Sequence, residues 1–176
     1  MNLERKKVKL SDKEVKKIYV DSFSKEERMP FALMLLLTKI TRTEFLAFYD
    51  ENILCGFIYM AAVSNITFIM FFAVDKRLHS KGYGSQILKE VQTIYPDNKI
   101  IVTIERCDVE AENIKDRIRR KNFYIKNGFT ETGYFTELSK IEQEIIIRNG
   151  DFSSEEFSNF LREYSNGAMK AKIWKK

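Results

Sequence analysis

The sequence predicts an α/β chain of the α+β kind: a mixed, mostly antiparallel sheet of six to seven strands, flanked by helices, around a central parallel β-α-β unit. Three observations carry that prediction. Residues Ile66 to Val74 are apolar at every position but Thr67, as in a strand buried on both faces. Ile87, Leu88, Val91, Ile94 and Tyr95 then recur at helical spacing until Pro96-Asp97-Asn98 stops them. Lys99 to Ile104 follows as a β-branched run ending at Glu105. Strand, helix and strand in that order form a parallel pair with a crossover between them.

The remaining elements follow along the chain. Val8 and Leu10 alternate with lysines and predict a short first strand. Ser11, with Glu14 three residues on, has capping-box spacing, and Val15, Ile18, Tyr19 and Phe23 give the next helix its apolar face. Ser24 and Glu27 repeat the capping signal and Pro30 interrupts it, so a broken or restarted helix runs to about Ile40. Phe45 to Tyr49, the turn Asp50-Glu51-Asn52, and Ile53 to Ala62 predict an antiparallel hairpin. Glu110 to Asn127 reads as a helix with Gly128 as its C′ residue. Phe129 to Leu138 and Ile141 to Arg148 are the last two strands expected. Ser153 and Glu156 cap a final helix with Phe157, Phe160 and Leu161 inward. The tail Ala168 to Lys176 is basic and reads as loose, with Ile173 and Trp174 able to dock. Residues 1–150 are expected to form one domain, with 151–176 packed on it. The last two strands and the final helix either close the sheet or build a homodimer.

Composition narrows the function classes. The 176 residues, 44% apolar, suit a single folded core. No apolar run reaches the roughly 18 residues of a membrane span; the longest, Phe31 to Leu37 among them, are far shorter. The basic start, Met1 to Lys7, leads into no signal-peptide apolar segment, so a cytoplasmic protein without membrane partners is expected. Cys55, Cys107 and His79 have neither disulfide-framework nor metal-ligand spacing, so no metal is expected. The net charge of +5 invites a nucleic-acid reading, but no nucleic-acid motif accompanies it and none is expected as a partner. An anionic small ligand fits the same charge.

The segment Val74 to Ser85 joins the buried strand to its helix. A helix start offers unpaired N–H groups and about half a positive charge. Gly82 and Gly84 let the backbone approach an anion, and Lys76, Arg77 and Lys81 add cations. Together these suit a pyrophosphate. A tight turn with solvated lysines would carry the same residues. Nucleotide motifs fit worse: no Gly-x-x-x-x-Gly-Lys-Ser/Thr occurs, and Ile87 stands where a dinucleotide fingerprint needs its third glycine.

At this point the sequence resembles the GNAT acyltransferase family, whose motif is Arg/Gln-x-x-Gly-x-Gly/Ala after a strand. Here His79-Ser80-Lys81-Gly82-Tyr83-Gly84 follows Val74, with His79 in place of arginine or glutamine. Downstream, Phe123-Tyr124-Ile125-Lys126-Asn127-Gly128-Phe129 resembles the family's aromatic-Tyr-x-x-x-Gly-Phe segment, followed by Glu131-Thr132-Gly133-Tyr134. The resemblance covers roughly Lys6 to Arg148. It implies a GNAT fold with a central acyl-CoA site and acetyl-CoA as co-substrate. It also implies an N-acetyltransferase acting on a primary amine by direct transfer in a ternary complex.

By the same resemblance, Phe72, Ala73, Val74, His79, Ser80, Lys81, Gly82, Tyr83, Gly84 and Ser85 hold the cofactor, and Tyr124 is the general acid. A tyrosine, with a pKa near ~10, is a reasonable donor to a departing thiolate; as a plain core aromatic it would need no such role. Glu105, at a strand end, is the candidate general base or else a surface residue. Glu26, Glu27 and Arg28 are candidates for contact with the acceptor, most of all Glu27 and Arg28. Lys115, Arg117, Arg119, Arg120, Lys121 and Lys126 form a basic set that either approaches a 3′-phosphate or is a solvated helix face. Arg117 stands where the family often has asparagine. A catalytically silent GNAT-fold module that binds acyl-CoA and regulates is the alternative.

Overall fold

The computed structural model describes residues 3–138 and 140–176. Met1 and Asn2, the first residues of the basic start, lie outside them, as does Ser139. Strand β1 (Glu4–Lys7) precedes helices α1 (Lys13–Ser22) and α2 (Phe31–Ile40). Strands β2 (Thr43–Asp50), β3 (Ile53–Val63) and β4 (Ile66–Val74) lead through a 3-10 turn at Lys76–Leu78 into α3 (Tyr83–Ile94). The rest runs β5 (Lys99–Glu105), α4 (Ile114–Lys126), β6 (Thr130–Leu138), β7 (Ile141–Arg148), α5 (Ser154–Tyr164) and β8 (Lys172–Lys175). The strands lie in the order β1-β2-β3-β4-β5-β7-β6-β8. β4 and β5 are neighbours joined through α3, the connection that a parallel pair requires. β1 with β2, β2 with β3, β5 with β7, β7 with β6, and β6 with β8 are antiparallel. No described helix is long and apolar enough to cross a membrane.

By chain contacts the molecule has two compact units, Met1–Ala61 with Ile69–Pro96, and Ala62–Phe68 with Asp97–Lys176. The first is built around aromatic rings. Tyr19 of α1 meets Phe23, Phe31, Phe57 and Phe71 at centroid distances from 5.2 to 6.3 Å. Such pairs contribute about 0.5–1.5 kcal/mol each beyond their burial. The Tyr19 hydroxyl is also satisfied: it accepts from the Met29 N–H at 2.8 Å and donates to the Met29 carbonyl at 3.1 Å. That pair of bonds fixes the turn ahead of α2.

In the second unit, β7 carries the buried residues Ile145, Ile146 and Ile147. On α5, Phe157 and Phe160 meet Phe68 at 5.2 and 6.1 Å. Ser153 caps α5 as expected, its Oγ accepting from the Glu156 N–H at 3.2 Å. Gly128 is the C′ residue of α4, where the N–H groups of Gly128 and Phe129 close on the carbonyls of Ile125 and Tyr124 at 3.0 and 3.1 Å.

Four local expectations need correction. The first strand is Glu4–Lys7 rather than the Val8–Leu10 segment, although the Val8 N–H still reaches the Phe45 carbonyl at 3.0 Å. Ser11 does not cap α1: Asp12 holds that position, and its carboxylate accepts from the Lys9 N–H at 2.8 Å instead. Ser24 and Glu27 make half a capping box, Ser24 N–H to Glu27 Oε2 at 2.8 Å, over a turn and not a helix. The tail is not loose: residues 172–175 pair with Tyr134 to Glu137 of β6, so Ile173 and Trp174 dock, as the other half of that expectation allowed. That eighth strand lies beyond the predicted set.

Candidate functional site

In the first unit, β4 ends at Val74 and the chain turns at once. Asp75 caps the 3-10 turn by accepting from the Arg77 N–H at 2.9 Å. It also takes the Arg77 guanidinium on both oxygens, at 2.6 to 3.1 Å. The hydrogen bonds from Arg77 hold the Asp75 carboxyl below the usual carboxylate range. Arg77, expected as one of three cations for an anion, is therefore already paired. Lys76 and Lys81 are exposed and have no carboxylate partner among the described residues.

His79 folds back on its own strand, with Nε2 at 3.0 Å from the Val74 carbonyl. A carbonyl only accepts, so Nε2 carries the proton and donates. Gly82 then caps α3 in the left-handed region, at φ 88°, where a side chain would be strained. No side chain caps this helix. The first amide of the helix ladder to find a partner is Gln86, which bonds to the Gly82 carbonyl at 3.1 Å. The N–H groups of Gly82, Tyr83, Gly84 and Ser85 have no partner among the described residues. Tyr83 points its hydroxyl away to Asp50, at 2.8 Å.

The floor of this loop is Gly56 of β3. A Cβ there would lie 2.4 Å from the Ala73 carbonyl oxygen and 3.0 Å from Val74 Cα. The adjacent ladder bond, Asp75 N–H to the Cys55 carbonyl, is 2.8 Å long. Gly56 and Asp75 were not predicted. An Asx turn written Asp-x-Arg is a sequence signal for the second, whereas nothing local marks the first. Glu27 and Arg28 lie in the same unit, partly exposed, in the turn held by Tyr19. Glu26 is exposed beside them.

In the second unit, Glu105 ends β5 as predicted, and its carboxylate is not bare. Oε2 accepts from Arg120 at 2.5 Å, and Oε1 accepts from Asn113 at 3.2 Å and lies 3.3 Å from Arg117. A carboxylate offers about four acceptor sites, so little more than one remains for a water or an ammonium. Tyr124 is buried on the inner face of α4, against Phe123 and Phe129 at 5.2 and 5.3 Å. Burial raises its pKa, opposed by the charge of Arg120. Its hydroxyl has no hydrogen-bond partner among the described residues. At neutral pH the hydroxyl is protonated.

The basic set of α4 is largely committed to carboxylates. Arg117 and Arg120 hold Glu105, Arg119 holds Asp116 at 3.1 Å, and Lys121 holds Glu144 at 2.7 Å and also Glu131. Lys115 and Lys126 have no such partner among the described residues. The structure thus brings the segment from Phe72 to Ser85 together in one unit, and Glu105 with Tyr124, through Arg120, in the other. Among the described residues, no group of three or more histidine, cysteine, aspartate or glutamate side chains could hold a metal ion.

Open amides on a helix start, beside two lysines without a carboxylate partner among the described residues, have the chemistry that suits an anion. A family model described as an acetyltransferase (GNAT) domain matches residues 41–131, just over half of the chain. The chain belongs to that family. Its fold is shared with a GNAT-family protein from Bacteroides thetaiotaomicron, at 24% identity and a TM-score of 0.72, covering 91% of this chain and 94% of that one. It is also similar to the PaiA N-acetyltransferase of Thermoplasma acidophilum, solved in complex with coenzyme A, at 18% identity, TM-score 0.59, and coverage of 84% and 99%. A GNAT acetyltransferase from Elizabethkingia anophelis with acetyl-CoA bound aligns at 17% identity, TM-score 0.54, and coverage of 83% and 95%. No curated protein sequence matches the chain.

Proposed function

We propose that the protein is an N-acetyltransferase that moves the acetyl group of acetyl-CoA to a primary amine, directly, within a ternary complex. The observation that carries this reading is the run of unpaired amides from Gly82 to Ser85, uncapped by any side chain. These groups, with Lys76 and Lys81, would hold the diphosphate of the coenzyme. The relatives solved with coenzyme A or acetyl-CoA support the same ligand. The thioester supplies an activated acyl group.

Each remaining role falls to a residue already placed. By the family resemblance the general acid is Tyr124, whose hydroxyl is protonated and has no partner among the described residues; a donor of that kind assists a departing thiolate. A hydrogen bond there stabilises developing charge without requiring full proton transfer. Glu105 takes the proton of the amine through a water on its remaining acceptor site, while Arg117, Arg120 and Asn113 keep the carboxylate in place. Glu27 and Arg28 are proposed to meet the acceptor. His79 acts by closing the loop on the Val74 carbonyl. Histidine in place of arginine or glutamine removes a fixed charge from the family's usual position, and that replacement is the feature that favours the alternative, a silent acyl-CoA-binding module.

Calorimetry with acetyl-CoA tests the site. The wild type should bind saturably, and Gly84→Asp, which places bulk and negative charge among the amides, should weaken binding by about tenfold or more. Equal affinity in the two proteins would show that the site is elsewhere. A screen of amines followed by release of free CoA thiol separates the enzyme from the silent module.

A further inference from the structure

Strand β8 lies outside the residues matched by the family model, and it is tied to the residues that follow Glu105. Arg106 is the hub. Its guanidinium takes both oxygens of Asp108, at 2.9 and 3.0 Å, and Glu142 at 2.6 Å. It also lies over the ring of Phe135, 4.9 Å from the centroid. Trp174 of β8 stacks on Phe135, with centroids 6.1 Å apart and planes 22° from parallel. Asp108 accepts in turn from Lys176, at 2.7 Å. The contacts therefore close a ring: Trp174, Phe135, Arg106, Asp108, Lys176, and back to Trp174 along the chain. Arg117, which holds Glu105, also donates to the Arg106 carbonyl at 3.1 Å.

We propose that β8 is a strap: through Trp174 and Lys176 it clamps residues 106–108 and so fixes the end of β5, where Glu105 stands. Trp174 and Lys176 are positioning residues in this scheme, and their effect on turnover rests on the reading of Glu105 given above. The geometry gives each a separate grip. The ladder from β8 to β6 sets the height of Trp174, and the Lys176–Asp108 pair sets the loop. An exposed ion pair alone contributes little; here it joins a partly buried aromatic stack carrying a guanidinium.

Cys107 lies between the two clamped residues, half-buried, with Sγ 3.6 Å from the Glu105 carbonyl. It is a built-in reporter that needs no acceptor. The other cysteine, Cys55, is fully buried and serves as the silent control. In the full chain, Trp174→Ala and Lys176→Ala should speed the reaction of Cys107 with Ellman's reagent by about tenfold, as local opening becomes easier. Lys176→Arg should restore the slow rate. Lys176 is exposed at the surface, so its variants test the strap even if Trp174→Ala does not fold. In parallel, turnover is measured on spermidine, kanamycin and a hexapeptide with a free N-terminus. The two alanine variants should lower kcat with KM for acetyl-CoA unchanged, and neither should lower it further in a Glu105→Gln background. Unchanged labelling in both alanine variants overturns the strap. Faster labelling with unchanged kcat overturns the positioning role. A wild type that acetylates no amine overturns the transferase reading instead, and the labelling rates still decide the strap.

Discussion

Replacing Gly56 by alanine tests whether the end of β4 is set by close approach of β3. The added Cβ would sit 2.4 Å from the Ala73 carbonyl oxygen, 3.0 Å from Val74 Cα and 3.2 Å from Ile87 Cδ1. Ordinary carbon–oxygen contact is about 3.4 Å, so the backbone of β4 must retreat by roughly 1 Å at residues 73 and 74. The first two obstacles are main chain and cannot rotate away. Overpacking of this kind costs about 1–3 kcal/mol. The displaced residues carry the Asp75 cap and the Val74 carbonyl on which His79 closes, so the loop that leads into α3 should move with them. Urea denaturation should show a lower midpoint with an unchanged slope, and calorimetry should show weaker acetyl-CoA binding, by about thirtyfold when the whole of a roughly 2 kcal/mol cost falls on the bound loop. A variant with wild-type midpoint and wild-type affinity would refute the claim that Gly56 sets the loop.

Two further outcomes follow from the same contacts. Tyr124→Phe removes a hydroxyl that has no partner among the described residues, so stability should stay within about 1 kcal/mol. Turnover should fall by about a hundredfold or more with acetyl-CoA affinity retained; a variant with full turnover removes Tyr124 from the chemistry. Acid should loosen both units. Asp75 is held low by Arg77, Asp108 by Arg106 and then Lys176, and Glu131 by Lys121. Each contribution is complete above the unfolded carboxylate pKa of about 4 and is lost as pH falls through the lowered folded values. Thermal midpoints should therefore be flat from about pH 7 to 5 and drop below about pH 4, and Asp108→Asn should remove part of that drop. An unaltered acid limb in Asp108→Asn would show that the Arg106–Asp108–Lys176 cluster carries no stability.

What the sequence made legible was whatever has a buried face. The run Ile66 to Val74 is apolar at every position but Thr67 and became β4 with those same bounds. The apolar spacing from Ile87 to Ile94 marked α3, and Gly128 marked the end of α4. The two outermost strands were misplaced or left out for one reason. β1 reads Glu-Arg-Lys-Lys with every side chain exposed, and β8 reads Lys-Ile-Trp-Lys with both lysines exposed. An edge strand guarded by lysine carries no alternation to detect. The Ser11 cap failed because Asp12, one residue on, competes for the same turn. At the site, the open amides were readable, since a strand, a glycine pair and a helix start define them locally. Side-chain partners were not: Arg120 is fifteen residues from Glu105, and which carboxylate an arginine chooses depends on where β5 and α4 meet.

The proposed cofactor site consists of the amides that open α3. Backbone N–H resonances of an isotopically labelled sample, followed during a titration with coenzyme A, observe them one by one. The amides of Gly82, Tyr83, Gly84 and Ser85 should shift together and saturate at the affinity found by calorimetry, because charge-assisted hydrogen bonds to phosphate form at those groups. If coenzyme A binds and these four resonances stay in place while others move, the diphosphate is held elsewhere and the account fails.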